Sequence, residues 1–155
     1  MSVTPAGWTA LHATAIVFGE DGLLLRGPSG AGKSSLALAL IVAARARGAF
    51  AALVADDRAF AHAFGERLVA RGVPEFAGKI ERRCEGVIQV AAEPAATIRL
   101  VVDLAPRGAP PPRLPGDEQM SAEILGVRLP RVALDPAHGP ADHAEAVLES
   151  LARRL

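Results

Sequence analysis

A single cysteine, Cys84, leaves this chain without an internal disulfide or a metal site built on clustered thiolates, a usage that suits a reducing cytosol. Cys84 is expected to be a small packed residue and not a nucleophile. An excess of either charge is also missing. The 17 Lys and Arg balance the 17 Asp and Glu, and no basic run is longer than Arg82-Arg83 or Arg153-Arg154. With no global positive field, neither nucleic acid nor an anionic membrane is an expected partner. No apolar run approaches membrane-spanning length although 50% of the residues are hydrophobic, and no basic region precedes an apolar core near the start. The expectation is a soluble, cytoplasmic protein. Internal repeats are lacking too, and 155 residues suffice for one domain, taken as 1–155.

What the chain does have is Gly27-Pro28-Ser29-Gly30-Ala31-Gly32-Lys33-Ser34, a complete G-x-x-x-x-G-K-[ST] phosphate-binding loop. The apolar run Leu23-Leu24-Leu25 precedes it and Leu36 to Ile41 follow, the strand and helix that such a loop needs. Glycines let the backbone wrap a phosphate chain with its N–H groups turned inward, and the helix that follows adds its positive end. Lys33 is expected on the β/γ-phosphates and the Ser34 hydroxyl on Mg²⁺. The cofactors expected are therefore ATP and Mg²⁺.

Thr9 to Phe18 and Leu23 to Arg26, separated by Gly19-Glu20-Asp21-Gly22, read as a hairpin that delivers its second strand into the loop. A helix is predicted from Ser34 to about Arg47, ended by Gly48 and burying Leu36, Leu40 and Ala43/Ala44. Strands are predicted over 50–55, 59–64, 67–70, 86–90, 97–104, 121–125, 127–129 and 132–134, with a closing helix from Pro140 that carries Ala144, Val147, Leu148 and Leu151. The prolines of Ala105 to Gly116 exclude helix and central strand, so this segment is expected to be a surface loop. Many strands on short hairpins, with little helix, predict an α/β fold with a mixed sheet instead of a doubly wound parallel one. There is too little helix for a standard adenylate-kinase or GTPase arrangement.

A triphosphate site needs a carboxylate near Mg²⁺, and transfer to a hydroxyl needs an acceptor for its proton. Asp56-Asp57 closes the strand predicted to end at Ala55, and a parallel placement beside the loop's own strand would carry both to the phosphates. Asp103 is the rival metal carboxylate. His12 lies fifteen residues before Gly27, on a strand expected to pair with the loop's strand. Glu81-Arg82-Arg83-Cys84-Glu85-Gly86 sets two cations between carboxylates, a pattern that by itself more often marks a solvated turn.

His12, the loop, Leu53-Val54-Ala55-Asp56-Asp57 and Glu81 to Gly86, in that order and spacing, resemble the bacterial HPr serine kinase/phosphorylase family in a short form limited to the catalytic domain. The resemblance implies a fold like the nucleotide-binding part of phosphoenolpyruvate carboxykinase, with ATP-dependent phosphorylation of a serine on the phosphocarrier protein HPr, reversal by phosphate, regulation of the bacterial phosphotransferase system, and a hexamer. By the same resemblance Gly27 to Ser34 hold the nucleotide, Ser34 and Glu81 the metal. Asp57, assisted by Asp56, would take the serine proton, His12 would orient the phosphate, and Arg83 would neutralise the transferring group. Arg113 aligns with a further family arginine.

Two side chains depart from the family pattern. Ser35 stands where many members carry glutamate, and Cys84 stands at a family glycine, where the expectation is that the turn has repacked around the thiol. Two other readings stay open: a small-molecule kinase or nucleotide hydrolase on the same loop, and a nucleotide-gated binding module whose transfer is impaired. Partner recognition is expected from the segment around Arg83 and the loop 105–116.

Overall fold

The computed structural model describes residues 3–154. In chain order the first elements are β1 (Thr9–Leu11), β2 (Ala13–Phe18), β3 (Asp21–Arg26), α1 (Lys33–Ala46), β4 (Ala51–Ala55), β5 (Ala59–Phe64) and β6 (Arg67–Arg71). There follow β7 (Lys79–Arg82), β8 (Gly86–Gln89), β9 (Ala95–Leu104), β10 (Ser121–Ile124), β11 (Val127–Leu134) and α2 (Pro140–Arg154). Nine strands form one mixed sheet in the order β1, β5, β6, β9, β3, β2, β4, with β10 and β11 joined to β9, and β7 and β8 form a separate hairpin. The α/β class and the mixed sheet agree with the sequence reading.

Burial on both faces explains why the central strands β2 and β3 and the C-terminal half of β9 read as near-continuous apolar runs. Successive residues of β2, β3 and β9 go to opposite sides. Val17, Leu24 and Val101 pack with Ala61, Leu68, Ala70 and Leu129 beneath the outer strands, whereas Ile16, Leu25 and Val102 pack with Leu36, Leu40, Val147 and Leu151 from the two helices. Each leucine-sized side chain fully buried in this way contributes ~1.5–3 kcal/mol. Helix α1 ends as expected, with Gly48 at a φ of 67° one residue beyond the Arg47 cap.

Four local expectations are corrected. Thr9 to Phe18 is not one strand: it breaks at His12, so that β1 pairs with β5 while β2 pairs with β3. His12 therefore sits in a bend and not on a strand paired with β3. The strand that ends in Asp56-Asp57 is not the direct neighbour of β3 either, because β2 lies between them, antiparallel to both. Strands β3 and β4 still run the same way, which brings their C-terminal ends to one edge. Residues 127–134 form a single strand through Pro130, pairing with β10 up to Pro130 and with β9 from Arg131 onward. A proline with no N–H to donate sits where the strand changes partner. Lastly, Glu81 and Arg82, read as the start of a charged turn over 81–86, belong to the strand Lys79–Arg82, which the fully buried Ile80 anchors.

Candidate active site

At the shared C-terminal edge of β3 and β4 the phosphate loop turns into α1. Gly27 lies so close to β9 that a Cβ there would stand 2.9 Å from the Leu104 carbonyl oxygen, and Gly32 at the helix entry has a φ of 102°, so neither position accepts a side chain without strain. The Lys33 side chain is buried and folds back over the loop, its Nζ donating to the carbonyl oxygens of Gly27 (2.8 Å) and Pro28 (3.2 Å). Ala31 closes the turn through its N–H to Pro28, and Ser29, Gly30, Gly32, Lys33 and Ser34 line a cavity of about 440 Å³.

Opposite the loop stand Asp56 and Asp57, and a β-bulge decides which way they face. Ala52 and Val54 point toward the outer strands and Leu53 toward the helices, so plain alternation would send Asp56 to the outer side. The β2–β4 register shifts between Ala15 and Ile16, pairing Ile16 with Leu53 but Ala15 with Ala55, and Ala55 repeats the facing of Val54. That extra residue turns Asp56 to the α1 side, as bulges beside active sites commonly re-aim side chains. There its Oδ1 accepts from Ser34 Oγ (2.7 Å) and Thr14 Oγ1 (3.1 Å), and its Oδ2 accepts from the Glu81 N–H (3.2 Å). Asp57 adopts a φ of 64°, uncommon for a residue with a Cβ. Its Oδ1 lies 2.8 Å from His12 Nε2 and 3.6 Å from Lys33 Nζ.

Residues far apart in sequence thus converge. Asp56, Asp57, Glu81, Arg83, Ser35 and Cys84 line the same cavity as the loop, and His12 reaches it through Asp57. Two positions differ from expectation. Asp103 is no free metal carboxylate: both its oxygens accept from Arg26 at 2.8 Å, and Arg131 donates to it as well. Burial alone raises the pKa of this carboxyl, but the hydrogen bonds from Arg26 and Arg131 outweigh it and hold Asp103 below its ordinary value. Cys84 is not packed. It is exposed at the tip of the β7–β8 hairpin with a φ of 70°, so the turn keeps a glycine-like backbone under a residue that has a Cβ. Arg113, on the 105–116 loop, is exposed and does not line the cavity.

Thr14 is the member that sequence reasoning passed over, although it is the one polar side chain in the otherwise apolar run Ala13 to Phe18. It is fully buried, donating to Asp56 and accepting the Asp57 N–H at 3.0 Å.

The donors around Ser34 are all oxygens: its own hydroxyl, Asp56 and the Glu81 carboxylate on the same cavity wall. That set fits a hard cation such as Mg²⁺, which binds through one or two carboxylates and takes its other ligands from phosphate and water. Among the described residues no three His, Cys, Asp or Glu form a self-sufficient metal cage. No helix among them is long and apolar enough to cross a membrane.

No curated protein matches the chain in sequence. Among solved structures it is similar to the Hpr(Ser) kinase/phosphatase from Coxiella burnetii, with a TM-score of 0.72 at 24% identity, over 94% of this chain and 97% of that one. At that identity the likeness carries the fold. The family model for the HPr Serine kinase C-terminal domain matches residues 5–154. With nearly its whole length accounted for in this way, the chain belongs to the HPr serine kinase C-terminal domain family.

Proposed function

We propose that this chain transfers the γ-phosphoryl group of ATP to a serine hydroxyl of the phosphocarrier protein HPr, and that inorganic phosphate reverses the modification. Membership of a kinase family supports the reaction class. The observation that carries the reading is the meeting of Asp57 with Lys33 and His12 at the mouth of the phosphate loop. As the serine oxygen bonds to phosphorus and the bond to the ADP oxygen breaks, Asp57 takes the hydroxyl proton. Lys33 and Arg83 offset charge on the transferring group, and His12 holds the Asp57 carboxylate at the reacting centre. Ser34 and Glu81 would hold Mg²⁺, which would supply positive charge to offset that of the phosphate oxygens. In the reverse direction an oxygen of inorganic phosphate bonds to the phosphorus of phosphoserine as the bond to the serine oxygen breaks, which forms pyrophosphate, and Asp57 returns the proton to the serine oxygen.

A second cavity of about 590 Å³ shares Asp56, Asp57 and Glu81 with the first, and its further lining includes apolar Val54, Val73, Phe76 and Val87 with Arg58 and Lys79. It supports an acceptor that approaches Asp57 from the side away from the nucleotide. The 105–116 loop leaves β9 at the edge where the phosphate loop leaves β3, since the two strands are parallel. We assign it to recognition of HPr: deleting Pro110–Pro112 should leave ATP binding intact and weaken transfer, and unchanged transfer refutes that role. The whole chain as one catalytic domain, its cytoplasmic location and its assembly into a hexamer belong to the same reading.

The deciding experiment incubates the purified chain with labelled ATP, Mg²⁺ and HPr, with and without added phosphate. Label on an HPr serine, removed by phosphate, is the expected result. ATP hydrolysis with no label on HPr would establish a hydrolase instead. The left-handed backbone at Cys84 favours a second reading, a nucleotide-gated binding module, which requires nucleotide-dependent HPr binding without transfer.

A further inference from the structure

We infer that Thr14 is a positioning residue for transfer, one hydroxyl that sets both aspartates at once. The inference rests on the kinase reading of Asp57. Extending the β2–β4 register beyond Ala15–Ala55 puts Thr14 opposite Asp56, and it is the bulge that produces this alignment. On the same face of β2, Ile16 packs among the residues of α1, so the Thr14 side chain emerges under the phosphate loop.

Its single hydroxyl both donates and accepts. The proton goes to Asp56 Oδ1, the oxygen that also takes the Ser34 hydroxyl proton, and a lone pair accepts the Asp57 N–H. The first bond orients the carboxylate that fixes Ser34. The second holds the backbone of Asp57 in the left-handed region, which a β-carbon disfavours. Without that acceptor Asp57 loses a restraint on the conformation that directs its carboxylate to His12 and Lys33. Thr14 touches no part of the cavity itself, so its influence passes through the two aspartates. Full burial also makes the hydroxyl costly unless it is bonded, and an apolar residue would be the ordinary occupant of a strand flanked by Ala13, Ala15 and Ile16.

Thr14→Val keeps the shape and removes the hydroxyl; Thr14→Ser keeps the hydroxyl and removes the methyl. Steady-state transfer to HPr, with ATP varied, should show the turnover of Thr14→Val lowered on the order of 10- to 100-fold, the size seen when partners that orient functional groups are lost. The KM for ATP should stay within about threefold, because the phosphate loop keeps its own contacts. Thr14→Ser should retain turnover within about threefold, and this holds even if the valine variant fails to fold. Equal loss in both variants would assign the effect to packing and overturn the inference. Asp57→Asn is measured alongside. If it is inactive while Thr14→Val turns over like wild type, the Thr14 role is wrong and the kinase reading stands; if Asp57→Asn transfers normally, the assignment of Asp57 falls and the inference with it.

Discussion

Lys33 and Cys84 show how differently two residues on one cavity wall are constrained. The Lys33 ammonium is buried and has only carbonyl oxygens and Asp57 for company, a position from which it can exchange those partners for phosphate oxygens. Lys33→Ala should therefore abolish the stabilisation that nucleotide confers. Binding at 100 times Kd adds about 2.7 kcal/mol, several degrees in melting temperature at this size. A thermal melt with and without Mg²⁺-ATP should show that shift in wild type and not in the variant; a full shift in Lys33→Ala would remove the loop from the site. Cys84, by contrast, is exposed with a left-handed backbone, so Cys84→Gly should relieve strain and raise stability by about 1 kcal/mol or less, since glycine also enlarges the unfolded ensemble. Loss of stability in denaturant melts would show that the thiol makes compensating contacts.

Elements here are positioned by what joins them at their ends. Strands β3, β9 and β11 run parallel, and near the C-terminal ends of β3 and β9 Asp103 takes hydrogen bonds from Arg26, the residue before the phosphate loop, and from Arg131 in the middle of β11. The loop thus starts from a fixed base. Because the folded-state pKa of Asp103 lies below its ordinary value, its contribution is present above the usual carboxylate range, about 4, and is lost as pH falls through the folded-state value. Asp103→Asn should cost on the order of 1.5–3 kcal/mol near neutral pH, the scale for hydrogen bonds to a charged group, since the cluster is part-buried. The gap between variant and wild type should close as acid is added; a gap independent of pH would mean that shape and not charge holds the three strands.

Across the whole molecule, the central strands β2, β3 and β9 lie between the helices and the outer strands of the same sheet, and the C-terminal ends of β3 and β4 carry the candidate site. Two cavities meet at Asp56, Asp57 and Glu81, an arrangement suited to bringing a nucleotide and a macromolecular hydroxyl together from opposite sides. The β7–β8 hairpin forms part of both walls while being tied to the body by Ile80 and by the Glu81 N–H on Asp56.

The phosphate loop, its strand and its helix were legible in the residues alone, because Gly-rich phosphate binding depends on local backbone freedom within eight consecutive positions. The mixed α/β class was legible too, since apolar periodicity and turn residues are local signals. The charged segment Glu81 to Gly86 gave no such signal, and its β7 strand depends on Ile80 finding the helix-side core. His12 sits in a bend because the chain passes there from β5's edge to β3's, a choice of partners that no spacing encodes. The facing of Asp56 depends on one extra residue in β4, and with it the reach of Thr14 and Ser34 to a single carboxylate oxygen. Residue types along the chain determined which chemistry was available; register and strand order, set by long-range pairing, decided which groups meet.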